Sequence, residues 1–330
     1  MNTLVFTCGD INGIGPEICI KSINQLQQKN NSNIVFICPS NVFESTAELV
    51  PPLFKYKIVK KFPAKLENQE ITILDIGHFK QKYGESTADS GNLAFLAIKQ
   101  AYRIITGRSN SAMITAPISK AAFKLAGVNF PGHTELLASL CRTKKYSMVF
   151  LSDNLVCALA TIHEPIKNVP KLLTKKSVKD SIFVLLNSLT NDLGIANPRI
   201  AILGLNPHAG EEGNIGKEEI ITIAPTVRSL KNNKIAGPFV PDAFFGNQLY
   251  KKYDAVLGMY HDQVLIPFKL LNFNNGVNYT AGLKIIRTSP DHGTGYDIAG
   301  KGIANPQSMI EAVKWAKKII ENRQKNNNES

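Results

Sequence analysis

Short apolar runs that alternate with longer amphipathic stretches predict an α/β fold for this chain of 330 residues, with mainly parallel strands covered by helices. Two further observations point the same way. Polar, glycine-bearing motifs follow several of the apolar runs, as they do where ligands sit at the carboxyl ends of parallel strands. The length also exceeds what one hydrophobic core usually serves, so two αβα domains of roughly 150 residues each are expected.

The strands expected, in chain order, are Leu4–Thr7, Ile34–Cys38, Ile71–Leu74, Ala112–Thr115, Met148–Leu151, Leu155–Thr161, Arg199–Leu203 and Ala255–Gly258. Each is a short apolar run. The helices expected are Ile14–Gln28, Ser90–Ile105, Ile118–Leu125, Glu135–Leu140, Ser177–Asp192, Glu218–Lys231 and Gln307–Arg323. In the first of them Pro16 suits the opening turn, and Glu17 lies near the positive end of the dipole. The Asn- and Lys-rich segment Gln324–Ser330 is expected to fray. Of the polar motifs, Gly9-Asp10 follows the first strand, Ala116-Pro117 the fourth, His163 the sixth, Asn206-Pro207-His208 the seventh and His261 the eighth.

Composition fits a soluble intracellular enzyme, with 44% hydrophobic and 19% charged residues. Five scattered cysteines, with no Cys-x-x-Cys pair, argue against a disulfide framework and against a thiolate metal site. No basic leader precedes Gly9-Asp10, and no apolar run approaches the roughly 18 residues of a membrane span. A cytoplasmic location without membrane attachment is therefore expected. The net charge of +12 comes from lysines spread along the chain, without an aromatic-and-basic recognition motif, so nucleic acid is not the expected partner. The same positive field suits a small anionic substrate.

Chemistry concentrates between Gly258 and Pro306. Met259-Tyr260-His261-Asp262-Gln263, Arg287-Thr288-Ser289 and Asp291-His292-Gly293-Thr294 are costly to bury and poor at filling a core. The glycine-rich run Asp297–Pro306 lets backbone approach a ligand closely. His163, His208 and His261 are too far apart for a helix-face metal motif, but each follows an expected strand, which would bring the three to one sheet edge. Three neutral imidazoles suit a catalytic divalent metal; spacing alone favours three separately hydrogen-bonded histidines.

In Pro131-Gly132-His133-Thr134-Glu135, Thr134 is placed to cap the next helix, and the loop is as compatible with an anion site as with an ordinary cap. Lys269, Asn278 and Arg287 could serve a phosphate or carboxylate, or be solvated surface. No Gly-x-Gly-x-x-Gly fingerprint and no Walker loop is present, which disfavours a Rossmann site and a P-loop nucleotidase.

Five motifs taken together resemble the PdxA family of 4-hydroxythreonine-4-phosphate dehydrogenases of vitamin B6 biosynthesis. They are Gly9-Asp10-x-x-Gly13-Ile14-Gly15-Pro16-Glu17, Pro131–Glu135, Leu205-Asn206-Pro207-His208-Ala209-Gly210-Glu211, Met259–Gln263 and Arg287–Thr294. The likeness runs nearly end to end, and its first and last motifs also resemble the isocitrate and isopropylmalate dehydrogenase class. It implies one dinucleotide-binding domain made from both termini, 1–120 with 285–330, and a substrate, metal and dimerisation domain from 121–284. The active site is expected in the interdomain cleft at a dimer interface.

The resemblance assigns roles residue by residue. His163, His208 and His261 match the family's ligands to a divalent metal (zinc, magnesium or cobalt), shared between the subunits of a homodimer. His133, Thr134, Lys269, Asn278 and Arg287 match substrate-binding positions for a small phosphorylated substrate. Asp242 and Asp262 match acids near the metal and are the candidate proton acceptors, ahead of Lys120. Gly293, Thr294, Asp297 and Asn305 match the cofactor loop. There Asp297 is expected to accept from the adenosine ribose hydroxyls and to favour NAD over NADP. Two departures stand out: Cys8 replaces a common proline, and Tyr296 replaces a small or aliphatic residue. Oxidation of a related phosphorylated sugar acid, such as erythronate or threonate 4-phosphate, and non-catalytic metabolite binding are the alternatives.

Overall fold

The computed structural model describes residues 1–26, 32–67 and 70–329, and divides into one unit of Met1–Arg142 with Lys284–Ser330 and another of Thr143–Leu283. In the first unit the chain runs β1 (Asn2–Thr7), α1 (Gly15–Leu26), β2 (Ser32–Ile37), α2 (Ser40–Leu49), β3 (Tyr56–Val59), β4 (Ile71–Leu74), α3 (Ala88–Ile105), β5 (Ser111–Thr115), α4 (Lys120–Leu125) and α5 (His133–Leu140). The second unit holds β6 (Ser147–Leu151), β7 (Cys157–Leu159), α6 (Val169–Leu172), α7 (Lys175–Asn187), β8 (Ile200–Leu203), α8 (Ala224–Ser229), β9 (Ile235–Phe239), α9 (Pro241–Gly246), β10 (Ala255–Gly258), α10 (His261–Asn272) and β11 (Val277–Ala281). The chain then re-enters the first unit with β12 (Ile286–Pro290) and α11 (Gln307–Glu329).

Strands of the first unit lie in the order β3-β4-β2-β1-β5-β12, all parallel. Buried on both faces, β1 and β5 read as apolar runs: Leu4, Val5 and Phe6 have no exposed surface, nor have Ala112, Met113 and Ile114. The second unit has the order β11-β6-β7-β10-β8-β9. There β7, β10, β8 and β9 run parallel, and β6 is antiparallel to both of its neighbours. Its core gathers Phe150, Leu159, Leu203, Phe244, Val264 and Phe268. Each such side chain contributes roughly 1.5–3 kcal/mol by leaving water.

The first segment of this unit runs through Arg142, beyond the expected residue 120, and α4 packs onto α3. Gly91 of α3 has no room for a side chain, since a Cβ would lie 2.1 Å from the Ala122 carbonyl oxygen. The Tyr102 hydroxyl of α3 donates to the Leu140 carbonyl at 2.8 Å.

Helix starts follow their caps. Helix α3 begins two residues before the expected Ser90, because Thr87 and Ser90 form a reciprocal capping box. Helix α4 begins at Lys120 because Ser119 accepts from the Ala122 N–H. The cap of α5 is the extended Gly132, and Thr134 lies inside the helix, not at its cap. Within the expected helix Glu218–Lys231, regular α-helix is confined to α8, preceded by a wider π turn over Glu219–Ile223. The expected end of α1 at Gln27-Gln28 lies outside the described residues.

At the other end of the chain, α11 continues through Glu329 instead of fraying at Gln324, and Ser330 lies outside the described residues. All five cysteines are buried and free. Among the described residues no helix is long and apolar enough to cross a membrane.

Candidate active site

In the second unit, the three metal-candidate histidines follow strands that are immediate neighbours. His163 comes after β7, His261 after β10 and His208 after β8, and β10 pairs in parallel with both of the others. Their carboxyl-end loops are tied together. Thr161 Oγ1 donates to the Met259 carbonyl at 2.7 Å, and Gln263 accepts from Met259 N–H at 2.6 Å while donating to the Gly204 carbonyl at 2.6 Å. Gln263 thereby couples the loop that carries His261 to the loop that leads to His208.

The His163 and His261 rings lie together, with centroids 5.7 Å apart. His261 Nδ1 is 2.9 Å from Asp262 Oδ1, a pairing that favours the tautomer with the lone pair on Nε2, the form a metal ligand needs. His208 is exposed in its loop. Among the described residues of one chain, no three His, Cys, Asp or Glu side chains gather into a group able to hold a metal ion. One chain thus assembles a pair of imidazoles with a carboxylate behind one of them.

The His208 loop is locally strained. Backbone φ is +51° at His208, +52° at Ala209, +82° at Gly210, +43° at Glu211 and +54° at Glu212, a left-handed run. For the non-glycine residues this conformation costs roughly 1–2 kcal/mol each. Buried Glu219 offsets it. Its Oε1 accepts from Leu205 N–H at 2.6 Å and Asn206 N–H at 2.7 Å, and its Oε2 accepts from Asn206 Nδ2 at 2.9 Å. A Cβ on Gly210 would meet Glu219 Oε2 at 2.6 Å, so the left-handed turn and the carboxylate need glycine there.

Asp242 is exposed in the first turn of α9, just beyond β9, and Asp262 is exposed beside His261. Lys269 lies near the end of α10 and Asn278 on β11, both half-buried.

In the first unit, the Gly9–Glu17 and Arg287–Asn305 motifs meet. Ile14 N–H donates to the Thr294 carbonyl at 2.9 Å, and a Cβ on Gly13 would lie 2.5 Å from that same oxygen. Asp10 is buried and accepts from Asn12 N–H at 2.9 Å, from the Tyr296 hydroxyl at 2.8 Å and from Ser90 Oγ at 3.2 Å. Burial raises its pKa, and these hydrogen bonds oppose the rise. Tyr296, the departure noted in the sequence, therefore has a partner, and its hydroxyl also lies 3.1 Å from Ser86 Oγ. Cys8 is buried, with its thiol directed at the Gly9 carbonyl.

Of the cofactor-loop candidates, Gly293, Asp297 and Asn305 are exposed and Thr294 is half-buried. The end of the loop is pinned to α1: Glu17 Oε1 accepts from Ala304 N–H at 2.7 Å, and Lys21 donates to the carbonyls of Gly302 at 2.9 Å and Ala304 at 2.8 Å. Glu17 was legible only as a dipole partner, and Lys21 carried no signal in the sequence. Lys120 stands exposed at the start of α4.

His133, Thr134 and Arg287 are all buried in this unit. Arg287 lies inside β12, its Nε donating to Thr115 Oγ1 at 3.0 Å. Burial pulls its pKa down to about 9, against the pull of Glu135. His133 is held well below the usual histidine value by burial and then by the charge of Arg287, so its ring is neutral at pH 7. Its Nε2 is buried without a hydrogen-bond partner. The orphaned His133 Nε2 is an atom that a hydrogen-bonding ligand completes, and it lies in the field of a buried Arg287 whose charge Glu135 partly offsets.

The family model for the pyridoxal phosphate biosynthetic protein PdxA matches residues 29–316. The chain is 39% identical over 318 residues, covering 96% of it and 98% of the relative, to a protein of Sulfurihydrogenibium sp. (strain YO3AOP1) named 4-hydroxythreonine-4-phosphate dehydrogenase. It is 40% identical over 333 residues, with 98% of each chain covered, to a protein of the same name from Prosthecochloris aestuarii. The 1.25 Å crystal structure of 4-hydroxythreonine-4-phosphate dehydrogenase from Klebsiella pneumoniae is similar with a TM-score of 0.82 at 36% identity, covering 97% of this chain and 98% of that one.

Proposed function

The chain belongs to the PdxA family, and on that premise we propose that it oxidises 4-hydroxythreonine 4-phosphate with NAD as part of vitamin B6 biosynthesis. Bound NAD would supply the hydride acceptor for the secondary alcohol carbon while a side-chain base takes the hydroxyl proton, so that the product would be 2-amino-3-oxo-4-phosphooxybutanoate. That ketone is β to a carboxylate, so loss of carbon dioxide gives 3-amino-2-oxopropyl phosphate.

The observation that carries this reading is the buried trio of His133, Thr134 and Arg287, whose cation and orphaned Nε2 suit an anionic substrate. Arg287 supplies charge and His133 a neutral ring nitrogen. Lys269 and Asn278 are proposed to bind further polar groups of the same substrate. His163, His208 and His261 are proposed to hold a divalent metal, zinc, magnesium or cobalt, in a site shared between two copies of the chain in a homodimer. When bound, that metal supplies Lewis acidity that lowers the pKa of the substrate alcohol. Asp262 is engaged with His261 Nδ1 and orients that imidazole, which leaves Asp242 as the proposed proton acceptor.

Gly293, Thr294, Asp297 and Asn305 are proposed to hold NAD. The Asp297 carboxylate would accept from ribose hydroxyls and repel a 2′-phosphate, which favours NAD over NADP. Five buried, free thiols fit work in the reducing cytoplasm.

The test is NADH formation by the purified, metal-reconstituted protein with 4-phosphohydroxy-L-threonine, beside D-erythronate 4-phosphate, with His208→Ala as control. Turnover of the first substrate that is lost in the variant supports the proposal. Preference for the second keeps the reaction type and changes the substrate, and no NADH from either overturns it.

A further inference from the structure

We propose that the first unit carries a second anion site, at the amino-terminal edge of its sheet, that takes a phosphate monoester with an apolar body. A cavity of about 700 Å³ opens there, within the size range of small-molecule sites. Ser111 and Ile286, the first residues of β5 and β12, lie in its wall. The Ala116-Pro117 and Asp291–Thr294 loops leave the opposite ends of those strands, roughly 15 Å away along a five-residue strand. The cavity is therefore separate from the Asp291–Thr294 stretch, and Arg287, assigned above to the substrate, follows Ile286 directly but is absent from the lining, its Nε being directed to Thr115 at the carboxyl end of β5.

Among the described residues its lining carries Arg108, Arg142, Lys284 and Arg323 and no carboxylate. A general lysine bias does not account for this, because three of the chain's seven arginines are among these four residues. Like charges around one cavity repel, and surface cations ordinarily alternate with acids. An anion in the cavity would offset that repulsion, and guanidinium groups match phosphate oxygens bidentately. The Arg108 guanidinium lies over the Phe62 ring, 5.5 Å from its centroid, a cation–π contact that leaves its charge uncancelled by any acid among the described residues.

Beneath the cations the wall is apolar. Ile105, Ile285 and Ile286 are buried there, and the Tyr102 ring is fixed by the hydrogen bond from its hydroxyl to Leu140. Bare phosphate would leave that wall wet, whereas a phosphate monoester with an apolar body covers it.

The experiment is calorimetric titration of the full-length protein with phenyl phosphate and, separately, with inorganic phosphate at low ionic strength. It compares the unaltered protein, Arg108→Gln/Lys284→Gln and Arg287→Gln. Arg108 and Lys284 are exposed, so thermal unfolding of the double variant is expected to match that of the parent. Phenyl phosphate is expected to bind at two sites per chain, one weakened about tenfold or more in the double variant and the other lost in Arg287→Gln. Inorganic phosphate is expected to bind the first of these more weakly than phenyl phosphate does. Binding of phenyl phosphate by the double variant as by the parent overturns the proposal, as does a single site per chain that disappears in Arg287→Gln. Because the two sites are removed by different variants, failure here leaves the proposed reaction standing, and the reverse also holds.

Discussion

The carboxylate of Glu17 accepts the backbone N–H of Ala304 at 2.7 Å, across 287 positions of sequence. Lys21, one turn further along α1, donates to the same carboxylate oxygen at 2.8 Å and to two carbonyls of the Gly302–Ala304 turn. A helix near one terminus thereby sets the shape of a loop near the other. Hydrogen bonds to a charged group contribute about 1.5–3 kcal/mol each, more than neutral ones. Glu17→Ala is expected to lower stability by about 2 kcal/mol and to raise the KM for NAD about tenfold, with a smaller effect on kcat. Urea unfolding and initial rates at varied NAD check both, and an unchanged KM would detach this anchor from cofactor binding.

Glu219 does for the His208 loop what Glu17 does for the Gly302–Ala304 turn. Removing it leaves two backbone N–H groups without their carboxylate and the Asn206 amide with Glu218 alone, and the left-handed run loses its brace. Glu219→Ala is expected to weaken zinc binding about 10–100-fold, the usual cost of losing a group that orients a ligand. Calorimetry with zinc alone and then with NAD alone separates the effects, because NAD affinity should stay at the parent value.

Asp262→Asn tests the pairing at His261 Nδ1. The neutral amide can still hold the ring but makes it a poorer donor to a cation, so zinc affinity should fall about tenfold with little change in stability. If stability drops and zinc affinity does not, Asp262 has a structural role only.

His133 makes a prediction about pH. Its folded-state pKa lies well below the value of 6.5 expected when unfolded, because burial and then Arg287 disfavour the imidazolium. Below 6.5 the unfolded chain takes up a proton that the folded chain refuses, so stability falls as pH drops. The slope from this one residue approaches about 1.4 kcal/mol per pH unit. Urea midpoints at pH 7 and pH ~5.5 should therefore converge more for His133→Gln than for the parent. Equal pH dependence of the two proteins would show that the ring protonates freely when folded.

Arg287→Gln is expected to raise the KM for the phosphorylated substrate about 100-fold, since it removes a buried cation and leaves Glu135 without its charge partner. Initial rates at saturating NAD measure this.

The apolar strands were legible because burial on both faces makes them continuous runs: Ile71–Leu74 and Ala255–Gly258 match residue for residue. The strands that were missed break that pattern. β3 alternates exposed and half-buried residues at the rim of its sheet, and β9 contains Gly237-Pro238. β11 and β12 place Asn278 and Arg287 within otherwise buried strands. The chemistry that made Arg287 noticeable is what hid β12.

Helix α10 was hidden for a similar reason, since it opens on His261-Asp262 and carries Pro267 inside. Among the candidate residues, the histidines and Arg287 stand out in the sequence because their types are rare, with six histidines and seven arginines in the chain. Glu17, Lys21, Gln263 and Glu219 act by holding backbone groups, and partners so distant leave no local pattern. Thr134 shows the limit of local rules, because the extended Gly132 took the cap.

The division of the first unit between both ends of the chain has a consequence for its biogenesis. A ribosome releases β1 through β5 early, then the whole of Thr143–Leu283, and only afterwards β12, which pairs alongside β5. Throughout that interval β5, whose five residues are all buried in the finished protein, waits with one edge open. The inserted unit is continuous in sequence and can close as soon as it emerges, whereas the unit that begins first must finish last. A nascent chain stalled before Ile286 would expose a hydrophobic edge suited to a chaperone, and completion of the chain is what withdraws it.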